Sequence, residues 1–449
     1  MTLLPPIPVD DVPAWVGAHL GDLVSGADSD AGVDSDAADG RGAAARSRHA
    51  GRVVASPRFD GSQAAADAAL AMLDIAGYAG RRNEVWPRDR RGASGLSPWI
   101  RHGLLQLPRV WAAVADAPAR DRHKFRFELL WQEYARHLYG QVGVALRRPL
   151  RHAPRHATDP WPDEPWPADM ACVDMSIGEL EGDGWMVNQA RMWMASQYTV
   201  RGHGDWRDGE QHFFRHLLDG SRAANGLGWQ WTVGAQTGRA YGFSRNQVVK
   251  RAPGLCDRCD LANDCPIESW PSFPDVAAPE AGPAPPPTLR AERTPGWTAG
   301  PDDVLARRSP GVVWLTAESL GEADPALRAH PDLPVVFVFD EPLLATLQLS
   351  GKRLVFLAQA LAGIAARRDL EVHRGRPVEV LAARDPAVTF TPVPGWRARS
   401  RALQPAVVHP WPWLRRPDGG SVASFSAWNR RHERRGAGAV EPPGQPELF

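Results

Sequence analysis

The chain has 449 residues, more than one ordinary core needs and enough for two domains of about 100–200 residues each. Lys and Arg together number 52, as do Asp and Glu, so the formal net charge is zero. This balance argues against a strongly basic nucleic-acid-binding protein and against an acidic disordered protein. The 19 Trp residues are a high count, and Trp usually lies in cores, at interfaces or around chromophores.

The N-terminal residues lack the basic stretch and apolar run of a signal peptide, and no run of about 18 apolar residues occurs. We therefore expect a cytoplasmic protein with no membrane partner. Two stretches have the composition of linkers, one rich in Ala, Asp, Gly and Ser and the other rich in Pro and Ala. They predict an N-terminal extension with an acidic disordered linker (1–50), a helical block (51–270), a Pro-rich linker (271–300), an α/β block (301–415) and a basic tail (416–449).

The same division shows that the zero net charge hides local imbalance. Residues 1–50 carry eight Asp against three Arg, a net charge of −5, whereas 51–270 and 301–449 each carry a net charge of +3. A charge of +3 is weak for a block of that size. Any contact with DNA phosphates would therefore rely on a local group of Arg side chains.

The helical block shows helical spacing of its apolar residues. Phe127, Leu130, Tyr134 and Leu138 stand at i, i+3, i+7 and i+11, which predicts an amphipathic helix over 125–138. Long alternating strand patterns are absent, so this block is predicted to be all-helical.

The α/β block has short apolar runs separated by helical stretches. The runs cover 312–315, 335–339, 370–373, 388–390 and 406–408. Strands that alternate with helices predict a doubly wound, Rossmann-like parallel sheet. Such sheets bind ligands at the carboxyl ends of their strands.

The four cysteines form one distant residue and a tight trio. Cys172 precedes the run C-x2-C-x5-C-P, which contains Cys256, Cys259 and Cys265. Four thiolates can hold a tetrahedral zinc ion or a [4Fe–4S] cluster. Free buried cysteines are the third interpretation, and spacing alone leaves all three open.

Three further segments combine small, polar and aromatic residues. The loop 92–98 offers free N–H groups and hydroxyls that suit a phosphate, although many loops look similar. The segments 184–192 and 205–231 place Asn, Arg and Asp where they could surround a polar aromatic ligand. Their Trp residues could pass an electron or simply pack in a helical core.

Six motifs in a fixed order give these segments a more specific interpretation. They are Tyr78-x3-Arg82-Asn83, ASGLSP (93–98), ELLWQEYARH (128–137), GWMVNQARM (184–192), DWRDGE (205–210) and DGSRAANGLGWQW (219–231). Together they resemble the all-helical FAD-binding domain of the photolyase/cryptochrome family. The cysteine pattern resembles the iron–sulfur bacterial branch of that family, which favours a [4Fe–4S] cluster with zinc as the alternative. The α/β block resembles the family's antenna domain, which comes first in the family, so the domain order here is predicted to be permuted.

The resemblance implies FAD as cofactor, held by a defined group of side chains. The implied FAD-binding residues are Tyr78, Ser94, Leu96, Ser97, Asn188, Arg191, Asp219 and Asn225. Asn225 would face N5 of the flavin. Trp229 and Trp206 would be the inner and middle members of an electron-transfer chain, whose outer member could be Trp161 or Trp166.

The resemblance also implies a site for damaged DNA. Glu128 and Trp131 would contact a flipped pyrimidine dimer, and Arg82 would contact a DNA phosphate. Val187 stands where the family has His, and repair of (6-4) photoproducts needs a general acid. The expected substrate is therefore the cyclobutane dimer.

The resulting expectation is a light-dependent flavoenzyme of DNA repair. It would be a deoxyribodipyrimidine photo-lyase, a carbon–carbon lyase that acts as a monomer on UV-damaged DNA and has room for an antenna chromophore of unknown identity. The alternative is a cryptochrome-like blue-light photoreceptor without repair activity. A zinc-containing structural DNA-binding protein is the third interpretation.

Overall fold

The computed structural model describes residues 1–24, 52–154, 166–269, 298–393 and 395–435. Most of the two predicted linkers, the end of the predicted tail and the candidate Trp161 lie outside the described residues.

Between residues 52 and 269 the described chain forms helices without strands. In chain order the helices of the first half are α1 (Val12–Leu20), α2 (Gln63–Ala71), α3 (Tyr78–Arg81), α4 (Ser97–Arg101), α5 (Leu107–Ala113), α6 (Ala119–Val142), α7 (Ala171–Gly182), α8 (Asn188–Ser196), α9 (Trp206–His216), α10 (Arg222–Thr232) and α11 (Arg245–Arg251). The helix predicted over 125–138 is confirmed and lies within α6, where Leu130, Tyr134 and Leu138 are buried.

The second half of the chain and its first residues form a seven-stranded sheet with helices between the strands. The strands are β1 (Thr2–Leu3), β2 (Leu305–Ala306), β3 (Val312–Leu315), β4 (Val335–Asp340), β5 (Leu370–Gly375), β6 (Pro386–Thr389) and β7 (Val407–His409). The remaining helices are α12 (Pro325–Ala329), α13 (Glu341–Leu347), α14 (Gly351–Ala365), α15 (Pro377–Val380), α16 (Trp396–Leu403) and α17 (Phe425–Arg435).

The sheet order is β1-β5-β4-β3-β6-β7-β2, and the five inner strands are parallel. These five are the strands predicted from the apolar runs, and their ends differ from the predicted ones by at most two residues. Chain order reverses between β3 and β6, which is the topological switch point of a doubly wound sheet. The predicted parallel strand pairing is therefore confirmed.

The first residues of the chain join this sheet. β1 pairs antiparallel with β5, and Trp15 on α1 packs its ring 6.4 Å from that of Phe339. Arg374 on β5 pairs with Asp22 at 2.6 Å. Residues 1–24 thus form an edge of the α/β region, whereas the sequence analysis grouped them with the acidic linker.

The α/β region packs directly against the helical region through the start of α14. Arg353 is buried and donates hydrogen bonds to the carbonyl oxygens of Phe214 and Gly220. The Ser350 amide donates to the Arg215 carbonyl oxygen at 3.0 Å. These contacts fix the loop between α9 and α10. Among the described helices, none is both long enough and apolar enough to cross a bilayer.

Candidate functional site

An ion pair joins two of the predicted cofactor-binding residues. Arg191 on α8 contacts Asp219, in the loop between α9 and α10, at 2.8 Å, and its Nε donates to the Met186 carbonyl oxygen at 3.0 Å. The Asp219 Oδ1 atom is buried and has no hydrogen-bond partner among the described residues. One carboxylate oxygen is therefore held by Arg191, while the other can accept a hydrogen bond from a ligand.

Asn225 lies in the first turn of α10, oriented by α9. Its Nδ2 donates to the Glu210 carbonyl oxygen at 2.8 Å and to Glu210 Oε1 at 2.9 Å. Burial raises the pKa of Glu210, and the charge of Arg222 opposes that shift. Because both hydrogen bonds use the amide nitrogen, the side chain is oriented while its oxygen stays available to another partner.

The small-residue loop before α4 reaches the same region. The Trp185 indole donates to the Ser97 hydroxyl at 2.9 Å, and Leu96 is buried. Arg101, at the end of α4, donates to the Gly220 carbonyl oxygen at 3.0 Å, next to Asp219. Ser94 is exposed.

The other two predicted cofactor-binding residues occupy different surroundings. Tyr78 is buried on α3, with its ring 5.1 Å from that of Phe125 in an edge-on arrangement. Burial raises the pKa of the Tyr78 hydroxyl, so it stays protonated. Asn188 is exposed at the start of α8, where its Nδ2 lies 3.5 Å from Met192 Sδ. No described contact joins either residue directly to Asp219.

Both predicted electron-transfer tryptophans are buried. A Cβ at Gly209 would lie 2.1 Å from Cη2 of Trp229, so α9 approaches that ring as closely as glycine allows. The Trp229 ring centroid lies 6.2 Å from that of Tyr198, which in turn lies 5.8 Å from Trp166. Trp206 has the Arg207 guanidinium 5.1 Å from its ring centroid. A chain of ring contacts thus leads from Trp229 to Trp166, which is itself buried.

The residues predicted to meet a DNA lesion are already engaged within the chain. Trp131 stacks on Phe425 of α17 with ring centroids 3.9 Å apart and an interplanar angle of 9°. Glu128 pairs with Lys124 at 2.7 Å and with Arg82 at 3.4 Å. In this structure, α17 therefore covers one face of Trp131.

The segment that carries Phe425 is firmly attached to α6. Trp428 is fully buried and its indole donates to His137 Nδ1 at 2.9 Å. The Tyr134 hydroxyl donates to the Val422 carbonyl oxygen at 2.8 Å. The sequence analysis described 416–449 only as a basic tail. The i, i+3 spacing of Phe425 and Trp428 was the available signal for an apolar helix face.

The four cysteines line one cavity beside α7 and α11. The Ala171 amide donates to the Cys259 sulfur at 3.5 Å. Burial raises the pKa of Cys172 to about 12, and the other three thiols add to that shift. The structure therefore brings together all four of the predicted ligands.

Comparisons with known proteins find similarity within the helical region. Residues 125–252 match the family model described as the FAD binding domain of DNA photolyase. A deoxyribodipyrimidine photo-lyase of Synechococcus is 33% identical over 184 residues, which cover 35% of this chain and 35% of that protein. The Thermus thermophilus photo-lyase is 34% identical over 168 residues, which cover 35% of this chain and 38% of that protein.

Among solved structures, a Synechocystis cryptochrome has a TM-score of 0.40 and 24% identity, with 44% of each chain covered. The matched regions cover about a third of the length of the curated relatives. The matched residues include α8, α9, α10 and the loop between α9 and α10, which together carry the Arg191–Asp219 pair and Asn225. Through this region, the chain is similar to the FAD-binding domain of DNA photolyase and to part of several deoxyribodipyrimidine photo-lyases.

Proposed function

We propose that the chain is a photolyase-like flavoprotein that holds FAD beside the Arg191–Asp219 pair. The single observation that carries this proposal is the unpartnered, buried Asp219 Oδ1 within the region that matches a photolyase FAD-binding domain. A flavin ring presents an N–H group that can donate a hydrogen bond to this carboxylate oxygen. Asn225, oriented by Glu210, would contribute a further polar contact, and Arg101, which follows the 93–98 loop, donates to the Gly220 carbonyl oxygen beside Asp219.

The chain's own residues would then hold and isolate the cofactor. When bound, reduced FAD supplies a light-excited electron that splits a cyclobutane pyrimidine dimer, and the protein's part is binding and electrostatics. Arg191 balances the charge of Asp219, so the carboxylate keeps its place in a largely buried setting. The buried rings of Trp229, Tyr198 and Trp166 would form a path for a single electron. Among the described residues no ring contact joins Trp229 to Trp206, the predicted middle member, so its role stays a prediction.

Dimer-containing DNA is the proposed substrate, with Trp131, Glu128 and Arg82 as its contacts. An exposed face of Trp131 would stack on a flipped base, which contributes about 1–3 kcal/mol in other base-stacking proteins. Phe425 occupies one face of Trp131, so a base can stack on that face only if α17 moves. The proposed repair activity is thus limited by a contact within the chain.

Asp219→Asn tests the flavin site. The amide keeps the shape of Asp219 but removes the charge that pairs with Arg191, so retained FAD should fall at least tenfold. Asp116→Asn, which alters a carboxylate outside this site, is the matched control. Protein purified in dim light is denatured, and the released flavin is identified by its mass and counted per chain. A folded Asp219→Asn protein that retains FAD as the parent does would refute this assignment.

The second candidate is a blue-light photoreceptor without repair activity. The stack of Phe425 on Trp131 favours it, because a closed lesion face suits a protein that signals through a partner. Binding to duplexes with and without a single thymine dimer separates the two functions. Equal affinities in both the parent and a variant that frees Trp131 would favour the photoreceptor.

We also propose that the four cysteines hold a [4Fe–4S] cluster rather than zinc. A mononuclear zinc site with Zn–S bonds of about 2.3 Å would place its sulfurs about 3.8 Å apart. Among the described residues, no three cysteine sulfurs form a group within 4.8 Å of one another. A wider ring of thiols suits a polynuclear cluster, whose irons lie between the thiolates.

Elemental analysis for iron, sulfide and zinc distinguishes a [4Fe–4S] cluster from a zinc ion. Iron and acid-labile sulfide at about four of each per chain support the cluster, and both should be lost in Cys259→Ser. One zinc per chain without sulfide, lost in the same variant, would overturn it.

Three further expectations belong to this proposal. The α/β region, which follows the helical region here, would be a permuted antenna domain with any chromophore at the carboxyl ends of β3 and β6. A monomeric state and a cytoplasmic location remain predictions of the sequence analysis.

A further inference from the structure

A cluster of two histidines and one carboxylate lies between α7 and α9, apart from the cysteines. Glu181, His212 and His216 each present a ligand atom, and these atoms all lie within 4.8 Å of one another. His212 and His216 are four residues apart on α9, which puts both rings on one face of the helix. Their ring centroids are 4.7 Å apart.

We propose that Glu181, His212 and His216 bind a divalent transition-metal ion, and Zn²⁺ is the ion with which the site is tested. Two imidazoles and one carboxylate form a recognised protein donor set for zinc. This site is separate from the flavin and cysteine sites and does not depend on the function proposed above.

The distances suit a single small ion. Ligand bonds of about 2.0–2.1 Å in a tetrahedron place neighbouring ligand atoms about 3.3–3.4 Å apart. His212 Nε2 and Glu181 Oε1 are already 3.4 Å apart. The third ligand then needs only a small side-chain adjustment.

His216 provides a second and independent observation. Its side chain is 2% exposed, and its Nδ1 is buried without a hydrogen-bond partner among the described residues. Burial lowers the pKa of His216 well below its usual value, with further lowering by His212, Lys352 and nearby arginines.

The surrounding charges decide which cation fits. Lys352 and Arg215 lie close enough for their positive charges to repel a bound cation. The negative charges of Glu181 and Asp183 stabilise the positive charge of Lys352. Mg²⁺ and Ca²⁺ bind mainly through several oxygen ligands, and this cluster offers one carboxylate, so its donor set suits them poorly. Zn²⁺ gains from imidazole nitrogens, and this preference selects it.

The location indicates what the ion would do. Glu181 belongs to α7 and both histidines to α9, and the Arg215 carbonyl oxygen accepts from Ser350 at the start of α14. A bound ion would tie α7 to α9 at the contact with the α/β region. Glu181 and His212 are partly exposed, which leaves an entry path.

Zinc counting in matched variants isolates this site, because the cysteines are the same in every protein compared. His212→Gln removes a partly exposed ligand, and His203→Asn alters an exposed histidine outside the cluster. Proteins are stripped with a chelator, reloaded with Zn²⁺ and analysed for metal, and their affinity is measured against a chromogenic chelator. The parent and His203→Asn should hold one more zinc than His212→Gln, whose affinity at this site should fall at least 100-fold.

A second variant keeps the test decisive if His212→Gln fails to fold. Glu181→Gln removes the carboxylate charge with little change of shape and should lose the same zinc. Excess Mg²⁺ should not displace zinc from the parent. Equal zinc content and equal affinity in all folded proteins would overturn the proposal.

Discussion

Replacing Phe425 with alanine should free the face of Trp131 and strengthen binding to dimer-containing DNA. The two rings stack with centroids 3.9 Å apart, and Phe425 is 6% exposed. Exposing a buried Phe costs about 1.5–3 kcal/mol, and an aromatic stack adds about 0.5–1.5 kcal/mol. Displacing Phe425 therefore costs roughly 2–4.5 kcal/mol, a range that lies mostly above the 1–3 kcal/mol or so that a stacked base returns.

This comparison predicts that Phe425 limits lesion binding in the parent protein. We expect Phe425→Ala to bind a duplex with one thymine dimer at least tenfold more tightly than the parent, while affinity for undamaged duplex stays the same. Fluorescence anisotropy with labelled duplexes measures both affinities. Phe425→Leu, which retains an apolar side chain without the stack, should give an intermediate gain.

Ser426→Ala is the control, because Ser426 is an exposed neighbour on the same helix. Thermal melts identify any variant whose fold is lost. A folded Phe425→Ala protein with unchanged affinity for dimer-containing DNA would refute the reasoning that α17 limits access to Trp131.

Two other predictions concern stability. Burial raises the pKa of Asp324 to about 6. Between about pH 4 and pH 6 the native protein therefore binds more protons than the unfolded protein. Its free energy of unfolding falls by roughly 3 kcal/mol as pH rises across that window. Asp324→Asn keeps the helix cap and should flatten this part of the melting-temperature profile; an unchanged slope would contradict it. Gly209→Ala forces a Cβ against Trp229, so it should destabilise the fold by about 1–3 kcal/mol and lower flavin retention. In the control Gly228→Ala the new Cβ lies in open space, so neither stability nor flavin retention should change. Equal melting temperatures for the two glycine variants would contradict that geometry.

The sequence predicts the central elements of the fold because their patterns are local. Each inner strand of the sheet is a short apolar run, and the α6 helix follows from side-chain spacing alone. The family resemblance implied that Arg191 and Asp219 both bind FAD, but it did not predict the ion pair between them, because no local pattern pairs residues on separate elements. Likewise, the four cysteines come together at one cavity only in the folded chain.

Other features lay beyond what the sequence could predict. β1 has only two residues, too few for a strand pattern, and it pairs with a strand far along the chain. The cover that Phe425 places over Trp131 depends on where α17 docks. The i, i+4 spacing of His212 and His216 is visible in the sequence, but Glu181 joins them only because α7 packs beside α9.

The most direct test of the proposed function is the light-dependent repair of a thymine dimer. A dimer-containing oligonucleotide is incubated with reduced, flavin-loaded protein in blue light and in darkness, and the restored thymines are counted by chromatography. The account predicts repair only in the light, faster with Phe425→Ala than with the parent. Flavin-loaded protein that restores no thymines in the light, even with Phe425 replaced, would contradict it.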